Sequence, residues 1–121
     1  LLIIITLITT SGVLAQRLDP EDAKEHFKYG NYLDALVLYS QLVLKAPKNG
    51  EYAYKAGLCV LFTNRDQTAA VKYLEKAVNL KADNDAEFFL AKAYLSNLKL
   101  DKALAAFKNY KEKQIKKIVL I

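Results

Sequence analysis

The chain has 121 residues, of which 53% are hydrophobic and 26% charged, as expected for one folded domain or a short repeat array rather than a disordered chain. Its single cysteine excludes an internal disulfide, so packing must supply the stability. The net charge of +5 is unevenly placed, because residues 1–98 are balanced whereas residues 99–121 hold seven lysines against Asp101 and Glu112.

The first predicted element is an apolar leader. Residues 1–15 carry no charge and end in Val13-Leu14-Ala15, and the segment is shorter than the roughly twenty residues of a membrane-spanning helix. This pattern predicts a secretory signal peptide cut between Ala15 and Gln16, followed by a lead-in over 16–19. Export to the periplasm or outer membrane would follow, and a retained signal anchor is the alternative. Because the chain lacks a starting Met and ends on an apolar run, we expect it to be a fragment.

Six helices are predicted after the leader. Asp19 before Pro20 is suited to cap the first helix, and Gly30-Asn31 breaks the chain before the second. The acidic run 83–85 is predicted to cap the fifth helix. No segment alternates with period two for long enough to predict a strand. The helices are predicted at 20–29, 33–46, 51–63, 67–81, 85–97 and 100–115.

The helices form three similar pairs. The second helix of each pair carries an alanine followed four residues later by a bulky side chain, and the alanines recur at spacings of 35 and 33. A small residue next to a large one on one helical face lets two helices approach closely. Each unit is therefore predicted to be a helical hairpin of about 34 residues. The matching positions are Ala23, Gly57 and Ala91 in the first helices, and Ala35/Tyr39, Ala70/Leu74 and Ala103/Phe107 in the second.

This pattern resembles the tetratricopeptide repeat family over residues 20–111. The signature tryptophan is absent, only Pro47 matches the terminal proline, and the second unit carries one extra residue in its turn. The resemblance implies an all-α, right-handed α-solenoid with units at about 20–49, 50–83 and 84–115. The lysines and apolar residues that follow predict a basic and apolar tail at 116–121. A leader followed by such repeats also resembles the N-terminal part of bacterial envelope proteins that add a β-propeller and an OmpA-like peptidoglycan-binding domain.

The resemblance implies a concave groove that binds a protein or peptide. The family's groove positions fall on first-helix residues, with aromatic and aliphatic side chains in the second and third units. The family's clamp for a terminal carboxylate is not reproduced, because Tyr54 and Leu58 occupy its places. The partner-binding residues expected from the resemblance are Tyr54, Leu58, Leu61, Phe62, Phe88, Lys92 and Leu95, with Lys24, Phe27, Lys28, Glu51, Asp85 and Ser96 around them.

The resulting functional prediction is a protein-interaction scaffold of the bacterial cell envelope. One alternative is a spacer or packing platform for a downstream domain; another is the substrate-recruiting part of a larger enzyme. The lysine-rich end could contact an anionic surface or acidic partner, or could simply be a solvated helix face. Nucleic-acid binding is not expected in an exported protein, and membrane contact is expected only through an uncleaved leader or a further domain. The sequence does not fix the oligomeric state.

No catalytic, cofactor or metal site is predicted. His26 and Cys59 lie at nearby repeat positions, but a cysteine within an apolar helix is ordinarily a core residue. Asp83, Asp85 and Glu87 mimic the start of a calcium loop, yet Phe88 stands where the loop needs glycine. Helix capping explains these acids more simply.

Overall fold

Six helices account for most of the chain between residues 17 and 120, which is the part that a computed structural model of the protein describes. No strand occurs in this range, so the all-α prediction is confirmed for it. The signal-peptide prediction concerns residues 1–15, which lie outside the described residues. Within 17–120, no helix is both long and apolar enough to cross a membrane. The helices are α1 Pro20–Lys28, α2 Tyr32–Lys45, α3 Gly50–Thr63, α4 Gln67–Asn79, α5 Ala86–Ser96 and α6 Leu100–Val119.

The helices pack mainly in chain order. Each contacts the helix before it and the helix after it, and α3 also touches α5. Turns at 29–31, 64–66 and 97–99 join α1 to α2, α3 to α4 and α5 to α6 as three hairpins. The core runs through all three and is rich in alanine, with Tyr39, Leu74 and Cys59 as its largest fully buried side chains.

One left-handed residue recurs in the turn of every hairpin. Gly30 (φ +78°), Asn64 (φ +53°) and Leu98 (φ +57°) follow one another at equal intervals of one repeat. In the first and third turns, the next N–H reaches back five residues, from Asn31 to His26 and from Lys99 to Tyr94, at 2.8 and 2.9 Å. Such bonds satisfy carbonyl groups at a helix end.

The second turn differs from the other two by one residue. Arg65 separates Asn64 from the N-cap Asp66, whereas Gly30 and Leu98 directly precede the N-caps of their second helices. This insertion shifts the second helix of the middle hairpin by one position. It accounts for the unequal alanine spacings.

Small first-helix residues lie at the helix contacts. Ala23 and Ala91 are fully buried, and a Cβ added to Gly57 would lie 2.6 Å from Leu74 Cγ and 3.2 Å from Tyr73 Cβ. Helices α3 and α4 therefore approach closely at Gly57.

The predicted helix bounds lie within two residues of the observed ones except at the C-terminal end of α6. That helix runs to Val119, four residues beyond the predicted end at 115, so residues 116–119 of the predicted tail are helical. No glycine or proline interrupts the segment, and Lys116 and Lys117 lie in the last turn, where cations favour the helix dipole.

Candidate partner-binding surface

A row of aromatic rings crosses the three hairpins. Neighbouring ring centroids are 5.1–6.0 Å apart, and most pairs meet edge to face, which is a favourable arrangement for aromatic quadrupoles. The row joins residues of α1, α2, α3, α5 and α6, so it connects all three hairpins. In order, the rings are Phe27, Tyr32, Phe62, Phe89 and Phe88, with Phe107 and Tyr110 both against Phe88.

Part of this row reaches the surface and forms what we call the aromatic face. Phe62 on α3 is 44% exposed and Leu95 on α5 is 49% exposed, although both side chains are apolar. Lys92 is exposed, and its Nζ lies 5.5 Å from the centroid of the Phe88 ring. The aromatic face comprises Leu61, Phe62, Phe88, Phe89, Lys92 and Leu95, of which Leu61, Phe88 and Phe89 are half-buried.

Two of the residues expected in the groove lie in the core. Tyr54 is 6% exposed and Leu58 is 5% exposed. The ring of Tyr54 lies 6.3 Å from that of Phe89 on α5, and burial raises the pKa of its hydroxyl. Neither side chain is available to a partner, so both are left out of the aromatic face. The binding role of the other predicted residues stays a prediction.

Phe89 is a member of the aromatic face that the sequence reasoning missed. It contacts the rings of Tyr54, Phe62 and Phe88, and so joins α3 to α5. The repeat positions single out Phe88 alone. The adjacent pair of phenylalanines was the available signal, since consecutive residues on a helix point about 100° apart and one of them can face the preceding hairpin.

Two lysines at or next to the first hairpin already have partners. The Nζ of Lys55 lies 4.3 Å from the centroid of the Phe27 ring and 3.7 Å from Glu51 Oε1, so Lys55 is engaged from two sides. Lys24 pairs with Glu21 at 2.7 Å. By contrast, Lys92 makes no ion pair with any of residues 17–120 and is free to meet a carboxylate.

The acidic segment before α5 is occupied by local contacts. Asp83 Oδ1 accepts the Asp85 N–H at 2.8 Å, whereas the carboxylate of Asp85 accepts the Tyr110 hydroxyl at 2.8 Å and does not cap α5. Glu87 pairs with Lys113 at 2.7 Å. The carboxylates of Asp85 and Glu87 thus link the start of α5 to α6. Over residues 17–120, no three His, Cys, Asp or Glu side chains converge as a metal site would require.

Cys59 has the chemistry of a core residue. Its side chain is fully buried, and this burial raises the pKa of the thiol to about 12. The thiol is therefore protonated at neutral pH and is not a nucleophile. His26 lies instead near Asp34, with its Nδ1 4.0 Å from Asp34 Oδ2.

No protein-family model and no curated protein matches the chain. The tetratricopeptide resemblance therefore rests on the sequence pattern.

Proposed function

We propose that the chain is a scaffold of stacked tetratricopeptide-like hairpins that binds an extended peptide segment of another protein on the aromatic face and catalyses no reaction. The observation that carries this proposal is the surface itself. There, Phe62 and Leu95 are exposed, and the ammonium group of Lys92, which makes no ion pair with residues 17–120, lies 5.5 Å from the centroid of the Phe88 ring. Exposed apolar side chains grouped on one surface of a folded chain are typical of an interaction site.

The repeated geometry supports the tetratricopeptide-like arrangement, and its right-handed curvature is what the resemblance implies. The left-handed turn residues recur at equal intervals along the chain, and each helix packs on its neighbours in sequence. Stacked repeats behave in this way, because each unit buries its apolar face against the next.

The chemistry of the aromatic face favours a particular class of ligand. Phenylalanine rings and aliphatic side chains suit an apolar or aromatic anchor, and Lys92 suits an acidic residue beside it. We therefore expect the ligand to be an extended segment that combines apolar and acidic residues.

A random peptide library selected on the immobilised full chain tests this proposal. Peptides enriched in apolar and acidic residues should emerge. Their affinity should fall by about tenfold or more on Phe62→Ser, because the side chain supplies an anchor. Lys92→Glu should shift the selected peptides from acidic to basic. Leu44→Ser is the matched control, because Leu44 is 82% exposed but lies on α2, and it should leave binding unchanged.

Two results would count against peptide binding. One is that no peptide is enriched on a chain whose helicity is intact. The other is that the enriched peptides bind the Phe62→Ser and Leu44→Ser variants equally well.

A spacer or packing platform is the second candidate, and the burial of Tyr54 and Leu58 favours it, because these groove positions serve packing between hairpins. It requires that Phe62→Ser change neither folding nor any binding.

Export to the bacterial cell envelope is a separate part of the proposal and rests on the sequence of residues 1–15. Residues 1–25 fused to a reporter that is active only outside the cytoplasm should give activity, and mass spectrometry should find a mature chain beginning at Gln16. An inactive fusion, or an uncut chain, would contradict export with cleavage.

A further inference from the structure

Where two hairpins meet, the first helix of the later hairpin contributes one face to the interface. The ring of Tyr52 on α3 lies 6.3 Å from that of Tyr39 on α2. Burial, together with the nearby Cys59 of α3, raises the pKa of the Tyr39 hydroxyl. At helical spacing, Ala56 lies on the same face as Tyr52 and Cys59. Ala56 and Cys59 are both fully buried. In α5 the equivalent positions of the next repeat are Leu90 and Ala93, which are also buried.

In α1 the same face is acidic and open. The positions one repeat before Ala56 and Cys59 are Asp22 and Glu25, and both side chains are exposed. They line an open cleft of about 250 Å³ together with His26 and Tyr29. Neither carboxylate takes part in an ion pair within the range 17–120.

The other side of each interface is one face of the second helix of the earlier hairpin. In α4, Val71 is 4% exposed, and Glu75 Oε1 accepts the hydroxyl of Tyr94 on α5 at 2.6 Å. Val78 lies on the same face at helical spacing. These three residues of α4 therefore face the following hairpin.

In α6 the same face is basic and uncovered by any described residue. The positions one repeat after Val71, Glu75 and Val78 are Leu104, Lys108 and Lys111, once the one-position shift at Arg65 is taken into account. Leu104 is 70% exposed, and both lysines are exposed and make no ion pair with residues 17–120. The first and last of the described helices thus carry opposite charge at the positions where neighbouring hairpins meet.

We propose that α6 of one molecule packs against α1 of a second copy, head to tail. The contact continues the stacking seen between α2 and α3 and between α4 and α5. In that register, Lys108 of one copy takes the place that Glu75 has between α4 and α5. His26 of the next copy takes the place of Tyr94. Lys108 and Lys111 then lie opposite Asp22 and Glu25.

Charge complementarity selects this occupant. End repeats usually carry polar outer faces that keep an array soluble. Charges of one sign at both ends would keep copies apart, whereas acids at one end and lysines at the other attract. Exposed Leu104 adds an apolar contact for Tyr29, which is 67% exposed. Because the contact is heterologous, it joins copies head to tail, into open chains or, where the rotation between copies closes, into rings. It does not use the residues of the aromatic face.

Sedimentation velocity of the full chain over a range of concentrations tests the contact. Association should rise with concentration and weaken between about 50 mM and about 500 mM NaCl, because salt screens exposed charges. The variant Lys108→Glu/Lys111→Glu should associate about tenfold more weakly, because it places acidic side chains opposite acidic ones. The variant Asp22→Lys/Glu25→Lys should be weakened to the same extent, because it places lysines opposite lysines.

The decisive variant carries all four substitutions. It keeps the net charge of the native chain but exchanges the signs at both ends, so association should return. Mixing the two double variants should also restore it, as an alternating chain. Lys48→Glu/Lys72→Glu is the control for net charge, because both lysines are exposed and lie off these faces, and it should associate like the native chain.

Cross-linking gives a readout that does not depend on the charge variants. In a Cys59→Ala background, Glu25→Cys and Lys108→Cys in one chain should join copies into a ladder through a short bismaleimide, whereas Lys72→Cys in place of Lys108→Cys should not. A monomer at every concentration would overturn the proposal. So would association that ignores both charge pairs, as the apolar leader alone would produce, or a folded four-fold variant that does not associate.

Discussion

Gly57→Ala probes the closest approach between two helices. The added methyl group would lie 2.6 Å from Leu74 Cγ and 2.8 Å from Leu74 Cδ2, about 1 Å inside the ordinary contact distance of 3.4–4 Å. Leu74 is fully buried and cannot move into solvent. Overpacking of this kind costs about 1–3 kcal/mol. The better helix propensity of alanine returns about 1 kcal/mol. We expect the variant to be destabilised by up to about 2 kcal/mol.

A double-mutant cycle with Leu74→Ala separates the clash from other effects. Leu74→Ala alone should cost about 2–5 kcal/mol, because it leaves a cavity in the core. In that background Gly57→Ala fills part of the cavity and should stabilise the chain by about 1 kcal/mol. The two changes should therefore couple by about 1–3 kcal/mol.

Urea unfolding followed by far-UV circular dichroism measures each free energy of unfolding. Leu90→Ala is the control partner, because Leu90 is a buried leucine on α5 that is not among the atoms nearest the new methyl group. Its effect should add to that of Gly57→Ala. If Gly57→Ala alone raises the stability by about 1 kcal/mol, helix propensity dominates and the close-contact argument is refuted.

Three further predictions concern the turns, a cap and the buried hydroxyl and thiol groups. Leu98→Gly should stabilise the chain by about 0.5–1 kcal/mol in urea, because glycine accepts φ +57° without strain, whereas Leu44→Gly within α2 should cost about 1 kcal/mol. Asp66→Ala should lower the melting temperature, with a loss of about 1 kcal/mol, because the Asp66 carboxylate accepts two N–H groups of α4. Burial raises the pKa of Tyr94 and of Cys59 to about 12, above their ordinary values of 10.0 and 9.0. The native fold therefore favours the protonated forms, so in a pH titration stability should be constant below about pH 9 and be lost as the pH rises towards 12; constant stability to pH 12 would contradict this.

Much of the helical framework could be predicted from the sequence, because its signals are local. Glycine, asparagine and acidic residues mark the turns, and the alternation of small and bulky residues marks the helix faces that meet. The extra residue in the second hairpin was visible as unequal alanine spacings, and the structure locates it at Arg65.

The binding surface was harder to predict, because exposure depends on neighbouring hairpins. Tyr54 occupies a groove position in its own repeat, but Phe89 of the next hairpin lies against it. The end of α6 was underestimated for a related reason. The repeat alignment stops near residue 111, whereas a helix stops only where its backbone or sequence requires it, and nothing before Val119 does.

The packing of each helix on its neighbours in sequence has a consequence for folding. Contacts of this kind join residues that are close along the chain, and such topologies close short loops and fold rapidly. Burial is also graded along the array, and protection of the amide hydrogens from exchange with solvent should follow it. Helix α3 has seven buried residues, whereas α1 has one and α6 has two. The outer helices should fray first, and the amide hydrogens of α3 should exchange last, because opening them requires both neighbouring hairpins to separate.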